Sequence, residues 1–346
     1  MNKSRVLIIY TGGTIGMWPS ESGYVPQGGF NELLEQRLNK VSISALQPFD
    51  IIELDKLIDS SNIVPADWAT LAKLIELHYE KYDGFVILHG TDTMAYTASA
   101  LSFMLIGLSK PVILTGSQIP LAQPRTDATN NLLNAIEFAR EPDNKEVCIC
   151  FDDQLLRGNR AKKIHTSSLR AFSSPNFNVL GQSGIQAELC PTTLENTQQI
   201  QESQKSTPQF KTPDCCTHHV AQLHLYPGIS DAQLVAVLDN PDIKGVVMLS
   251  YGAGNPPDNN HCMMSLLEKA NNRGVIIVNL TLCHSGKVIQ GSYATGARLN
   301  QLGVIPGADM TVEAAYTKLL FLLATEKSTE HIKTLMSSSL CGEVTL

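Results

Sequence analysis

The chain has 346 residues, of which 43% are hydrophobic and 17% charged, and a net charge of −7. Its length exceeds the commonest single-domain size and suits two domains, and its composition is that of a folded protein with a substantial core. The negative balance argues against binding nucleic acid or an anionic membrane, both of which draw on basic patches, and no run of 18 apolar residues offers a transmembrane span.

Lys3 and Arg5 precede only five apolar residues, Val6–Tyr10, too few for the core of a secretory leader, and that run flows straight into a glycine turn. A cytoplasmic location is the expectation. Further apolar runs follow at "FVILH" (85–89), "PVILTG" (111–116), "VCICF" (147–151), "GVVMLSY" (245–251) and "GVIIVNL" (274–280). Continuous rather than alternating hydrophobicity marks strands buried on both faces, the pattern of a parallel sheet. Helical spacing lies between the runs. Over 65–80, Pro65 suits the first helical position, and Trp68, Leu71, Ile75 and His78 share one face. Over 127–140, Asp127 is placed as N-cap ahead of Leu132, Leu133, Ile136 and Ala139. The segment "TVEAAYTKLLFLLATEK" (311–327) reads as a helix near the C-terminus.

Strands alternating with helices predict an α/β fold of two domains: a larger, doubly wound, mostly parallel N-terminal domain and a smaller C-terminal α/β domain. The polar stretch "ENTQQIQESQKSTPQFKTPD" reads as a connector. The expected division is 1–195 catalytic, 196–215 linker and 216–346 C-terminal. Eight cysteines stand without a C-x-x-C pair, which fits reduced thiols. The cluster "CCTHH", Cys215–His219, has soft ligands but no second pair at zinc-site spacing, so it reads as part of a variable connector and no metal is expected.

In doubly wound sheets, ligands gather beyond the carboxyl ends of the strands. Three predicted strands end there in hydroxyl- and glycine-rich turns, "TGGTIG", "HGTDTM" and "TGSQIP". The first is no phosphate loop, since it lacks both the G-x-x-x-x-G-K-[ST] spacing and the lysine, and Gly12 and Gly13 are adjacent, unlike G-x-G-x-x-G. Local physics leaves it open between a plain strand-to-loop turn and the seat of a reactive Thr14. In the second, Asp92 or Thr93 can serve as the cap of a helix, which leaves Thr91 unexplained.

Taken together, "YTGGTIG" and "ILHGTDTMAYTA" resemble the two active-site signatures of bacterial-type L-asparaginases, and "LIDSSNI", "TGSQIP", "RGNRAKK" and "GSYATG" stand where that family has its other landmarks. The resemblance spans essentially the whole chain, and the expected lack of a secretory leader fits the family's cytoplasmic type I branch. It implies Thr14 as nucleophile and Tyr24, in "ESGYVP", as its partner on a lid. It implies Thr91, Asp92 and Lys163 as a charge-linked triad, with Lys163 chosen over Lys162. Ser60 and Ser61 correspond to the substrate grip, together with Thr91 and Asp92. Asn255, in "SYGAGN", is the candidate contribution from a neighbouring subunit, and Tyr293 is placed where secreted relatives lend an acidic residue. The resemblance also implies a homodimer or homotetramer acting on L-asparagine.

The chemistry suits these groups. A threonine hydroxyl is a weak nucleophile until its proton is taken, and a lysine acts as base only in its neutral form, which burial favours. Lys163 beside Thr91 is the candidate base, with Asp92 orienting the array. Strand-end N–H groups near Thr14 and Thr91 suit a tetrahedral oxyanion. One carboxylate and a set of donors suffice to read a zwitterionic amino acid, and no cofactor is needed. The sequence leaves open a mixed asparaginase–glutaminase and, in another class, a non-catalytic amino-acid-binding protein. A transfer-RNA amidotransferase subunit shares the signatures but is expected to carry a domain ahead of the first strand, which here begins at residue 6.

Overall fold

The computed structural model describes residues 4–21, 23–26, 28–37, 48–190, 208–215, 219–291 and 294–345. Two compact units divide at Thr212/Pro213. Most of the expected linker, residues 196–207, lies outside the described residues, as do Cys216, Thr217, His218 and Tyr293. Cys215 is buried, and His219 opens the first strand of the second unit.

The strands of the first unit, in chain order, are β1 (Val6–Tyr10), β2 (Met17–Ser20), β3 (Gly23–Pro26), β4 (Phe49–Glu53), β5 (Gly84–Leu88), β6 (Leu105–Ile106), β7 (Val112–Thr115), β8 (Val147–Phe151), β9 (Gln154–Arg157), β10 (Lys162–Lys163), β11 (Phe172–Ser173), β12 (Gly181–Ser183), β13 (Ala187–Leu189) and β14 (Gln209–Phe210). Eight of them form one sheet in the order β13-β12-β9-β8-β7-β5-β1-β4. Strands β4, β1, β5, β7 and β8 run parallel, and the pairings β8–β9, β9–β12 and β12–β13 are antiparallel. Three short pairs, β2–β3, β10–β11 and β6–β14, stand outside it.

Period-2 alternation explains why the central strands are apolar throughout. Val6, Ile8 and Tyr10 join one core with Val86, Leu88 and Ile113, covered by Phe30, Leu33 and Leu34 of helix Phe30–Arg37 and by Leu132, Ala135 and Ile136 of helix Ala128–Phe138. Leu7, Ile9, Phe85 and Ile87, at the alternate positions, are equally buried. Helix Met94–Met104 packs on β7 and β8 and against helix Pro65–His78.

The winding fixes where a ligand site forms. The connection leaving β1 goes to β4 on one side, while the connection leaving β5 goes to β7 on the other. The carboxyl ends of β1 and β5 therefore flank the topological switch point, where such sheets leave a crevice. Tyr10 pairs with Leu88, so the two strands end at one level.

In the second unit β15 (His219–His224), β16 (Ile243–Ser250), β17 (Ile276–Thr281) and β18 (Ile305–Pro306) form a four-stranded parallel sheet in that order. Val246, Met248 and Ile277 pack with Leu234 and Leu238 of helix Asp231–Leu238 and with Met263 and Leu267 of helix His261–Asn272. Helix Val312–Thr325 carries Thr311 as N-cap, its hydroxyl accepting the Ala314 N–H at 3.1 Å. No helix of the described residues is long and apolar enough to cross a membrane.

Candidate active site

Glycines bring the strand-end turns into contact. Gly13 has a φ of +81°, the left-handed region that favours glycine, and a Cβ there would lie 2.4 Å from the backbone nitrogen of Gly90. A Cβ on Gly90 would in turn lie 2.4 Å from Ser60 Oγ. The turns after β1 and β5 thus meet backbone to backbone at the switch point, with the Ser60 side chain against Gly90 and with Thr14 and Thr91 each one residue beyond its glycine. Thr93 ties the turn after β5 to the one carrying Ser60, its hydroxyl donating to the Ser60 carbonyl at 2.7 Å. That bond corrects the capping expectation: Thr93 occupies the N-cap position of helix Met94–Met104 but makes no side-chain cap.

Lys163 joins the cluster from β10. Its Nζ donates to Thr91 Oγ1 at 2.9 Å and to Asp92 Oδ1 at 2.6 Å. Thr91 is buried, the Lys163 side chain is 19% exposed and that of Asp92 is 63% exposed, so the array opens toward solvent through the carboxylate. Thr91 Oγ1 donates onward to Gln118 Oε1 at 3.4 Å. The backbone N–H groups of Thr14 and Thr91 donate to no group among the described residues.

Thr14 opens a single 3₁₀ turn, Thr14–Gly16, and is half-buried. The β2–β3 hairpin that follows carries Tyr24, 45% exposed, whose hydroxyl makes no hydrogen bond among the described residues; β3 lies against the Thr14 turn. Both ends of the hairpin are anchored. Leu121 donates its N–H to the Ile15 carbonyl at 3.0 Å. Beyond the hairpin, Phe30 stacks on Tyr10 at 4.7 Å, and Glu53 accepts the N–H groups of Gly29 and Phe30. Ser60 is buried beneath Gly90, whereas Ser61 is exposed with its N–H held by Asp59 Oδ1 at 3.2 Å. Asn255 belongs to the second unit, where its carbonyl and N–H both bond to Tyr251.

Asp127 sits at the N-cap position of helix Ala128–Phe138, but its carboxylate does not cap. It accepts instead from the backbone N–H groups of Gln118 and Ile119, and Thr126 Oγ1 accepts the Ala128 N–H. The "TGSQIP" turn outcompetes the helix for this carboxylate.

One buried network escaped sequence reasoning. His89, at 1% exposure, contacts the Gly90 carbonyl through Nδ1 at 2.7 Å and Thr97 Oγ1 through Nε2 at 2.9 Å, and Trp68 Nε1 donates to the same Thr97 oxygen at 3.1 Å. A carbonyl only accepts, so Nδ1 carries the proton and Nε2 accepts from Thr97. Its sole sequence signal is a polar residue closing an apolar strand. Burial pushes the His89 imidazole down to about 4, against the Gly90 carbonyl, which acts the other way. An unfolded chain protonates the ring near its ordinary value of about 6.5, so between these values the unfolded state holds the extra proton. Stability is therefore expected to be level above about pH 6.5 and to fall as pH drops toward 4, by roughly 3 kcal/mol from this residue. Urea midpoints measured across that range check it: His89→Asn should show a shallower decline than the wild type, and an equal slope assigns the effect elsewhere.

A family profile described as "Asparaginase, N-terminal" matches residues 5–193, and one described as "Glutaminase/Asparaginase C-terminal domain" matches 219–336. The chain belongs to the asparaginase family. It is 45% identical over 345 residues to L-asparaginase 1 of Escherichia coli strain K12, covering 100% of this chain and 99% of that one. The solved structure of L-asparaginase I from Vibrio cholerae superposes with a TM-score of 0.87 at 42% identity, covering 99% of this chain and 100% of that one. The thermostable L-asparaginase from Thermococcus kodakarensis gives 0.85 at 32% identity over 99% of each chain. Relatives of this asparaginase-family chain thus match it through both units.

Proposed function

We propose that this chain hydrolyses the side-chain amide of L-asparagine to L-aspartate and ammonia through a threonine nucleophile. The observation that carries the reading is Lys163 Nζ bonded at once to Thr91 Oγ1 and Asp92 Oδ1, beside the backbone contact of Gly13 with Gly90. A binding protein needs a carboxylate and donors, but no lysine–hydroxyl pair set next to a second hydroxyl. The names of the full-length relatives support the same reading.

In this mechanism Thr14 Oγ1 attacks the amide carbon and its proton passes to the Thr91–Lys163 pair, which returns it to the departing nitrogen as ammonia leaves. Water then attacks the threonyl ester and hands its proton to the same pair, which returns it to Thr14 Oγ1 as the ester C–O bond breaks and L-aspartate leaves. The oxyanion of both steps suits the uncommitted N–H groups at Thr14 and Thr91. Tyr24, on the hairpin over the Thr14 turn, closes on the substrate and contacts Thr14. Ser60, Ser61 and Asp92 read the α-carboxylate and α-ammonium groups, and the exposure of Asp92 leaves its carboxylate open to the ammonium. Asn255 contributes from a neighbouring copy in a homodimer or homotetramer, and the protein works in the cytoplasm on this free amino acid.

Asp92→Asn tests the head-group contact. The neutral amide cannot supply the charge-assisted bond, so KM for L-asparagine should rise at least about tenfold, and kcat should fall with it because Lys163 loses its ionic partner. Steady-state ammonia release gives both constants. Wild-type values for both would remove Asp92 from recognition, and equal turnover of L-glutamine by the unaltered enzyme would favour the mixed asparaginase–glutaminase.

A further inference from the structure

We infer that Asn279 is a positioning residue of the second unit: it fixes the turn after β16 so that Asn255 stands preformed for the substrate of a neighbouring copy. The inference rests on the role proposed for Asn255 and adds the buried group that acts through it.

All five carbonyls of that turn are engaged. Asn255 donates its N–H to the Tyr251 carbonyl at 2.8 Å and accepts the Tyr251 N–H at 3.1 Å, which closes the turn on itself. The Gly252 carbonyl accepts Thr281 Oγ1 at 2.6 Å, and the Ala253 carbonyl accepts the Ile289 N–H at 3.0 Å. The Gly254 carbonyl accepts Asn279 Nδ2 at 3.0 Å. Gly254 has a φ of +106°, and a Cβ there would lie 2.6 Å from Val288 Cγ1 and 3.0 Å from Asn279 Nδ2. Ordinary surface loops leave many carbonyls to water and stay variable; this one has no free acceptor along its backbone and so keeps one conformation. The Asn255 amide sits beside its exposed side, Nδ2 lying 3.9 Å from where a Cβ on Gly252 would stand.

Asn279 ties that turn to its neighbours. It is fully buried in β17, between the apolar Val278 and Leu280. Its Oδ1 accepts the Ser250 hydroxyl at 2.6 Å, and Nδ2 also donates to Gln290 Oε1 at 3.3 Å. A carbonyl only accepts, so Nδ2 faces Gly254 and Oδ1 is left for Ser250. Gln290 is oriented in turn, its Nε2 donating to Asn300 Oδ1 at 2.7 Å and to the Val304 carbonyl at 2.9 Å. The backbone carbonyl of Asn279 accepts the Gly307 N–H at 2.8 Å. One side chain and its carbonyl therefore reach the segments that follow β16, β17 and β18, at the carboxyl end of a parallel sheet, where functional groups gather. An apolar residue would fill the same space without the cost of burying an amide; what the amide adds is the hold on Gly254, next to Asn255.

An uncharged amide moves no proton, so Asn255 serves by holding the substrate, and loosening its turn should act on KM. Asn255→Ala should raise KM for L-asparagine at least about tenfold. Asn279→Leu keeps the branched shape and loses both polar ends. With subunit number and circular dichroism as in the wild type, its KM should rise about five- to tenfold and its kcat stay within about threefold. A double-mutant cycle separates positioning from mere support. Because Asn279 acts through Asn255, Asn279→Leu should add less than about twofold to KM once Asn255 is replaced by alanine. Additive rises, a loss confined to kcat, or a wild-type KM for Asn279→Leu would overturn the role of Asn279 and leave that of Asn255 standing. Should Asn279→Leu fail to fold or assemble, Ser250→Ala decides. It removes the hydroxyl that orients Asn279 and should raise KM about threefold, but only while Asn255 is present. An unchanged KM, or the same rise beside Asn255→Ala, overturns the inference. A wild-type KM for Asn255→Ala overturns the underlying reading of Asn255, and the positioning role with it.

Discussion

Thr91→Val is expected to lower kcat for L-asparagine by about 10³-fold or more, with the fold intact. Valine matches threonine in shape and branching, so packing around this buried position is kept while the oxygen is lost. Lys163 Nζ then loses one of its two acceptors, and the proton path proposed between Thr14 and the lysine is cut. The expected size follows from general acid–base catalysis, whose removal costs about 10²- to 10⁴-fold. Steady-state kinetics with purified protein, beside a circular dichroism spectrum matching that of the wild type, make the measurement. A kcat within tenfold of the wild type would take Thr91 out of proton transfer.

Glu343→Ala is expected to cost about 3–5 kcal/mol of stability, the usual penalty for leaving a buried charge without its partner. The Lys318–Glu343 pair is 2.6 Å apart, and both side chains are fully buried. Lys318 also donates to the carbonyls of Met336 and Ser338, and Glu343 accepts the N–H groups of Leu340 and Cys341. The pair thereby winds the last residues of the chain around helix Val312–Thr325. Burial pushes the Glu343 carboxyl up, but Lys318 and those two N–H groups outweigh it and hold the carboxyl below the usual range. The sign follows from that direction. Stability from Glu343 is complete above the unfolded carboxylate range and is lost as pH falls through the lower folded value. Urea denaturation checks both points. The paired replacement Lys318→Met with Glu343→Leu should recover most of the loss, since it leaves no unpaired charge. A single Glu343→Ala variant within about 1 kcal/mol of the wild type would contradict the latch.

The core strands of the first unit were legible because their signal is composition itself. β1 and β8 occupy the apolar runs 6–10 and 147–151, and β5 and β7 lie within a residue or two of theirs. The strands that went unread carry no such run. β4 is "FDIIE", flanked by carboxylates, and β9, β12 and β13 are short with polar residues. They are strands because a neighbour supplies their hydrogen bonds, a tertiary cause that local pattern does not contain.

The same division runs through the site. Thr14, Thr91 and Asp92 stood out as hydroxyls and a carboxylate at strand ends. Choosing Lys163 over Lys162 is a matter of register, because adjacent residues of a strand face opposite sides; the structure puts the Lys163 amine on Thr91 and Asp92. Gln118 lies in the "TGSQIP" turn, but its partners Thr166 and Ser168 are 48 and 50 positions away. Asp127 was legible as a capping residue type, yet the cap gave way to backbone donors eight and nine residues upstream.

Amide hydrolysis through Thr14 is read out by ammonia release from L-asparagine, measured for the wild type and for Thr14→Val side by side. Valine preserves the half-buried turn that Thr14 opens and removes only its oxygen. The wild type should release ammonia and L-aspartate in equal amounts, and Thr14→Val should be slower by about 10³-fold or more, because the covalent step has lost its nucleophile. A wild type that binds L-asparagine without releasing ammonia would rule out hydrolysis, and a Thr14→Val variant that turns over at the wild-type rate would rule out Thr14 as nucleophile.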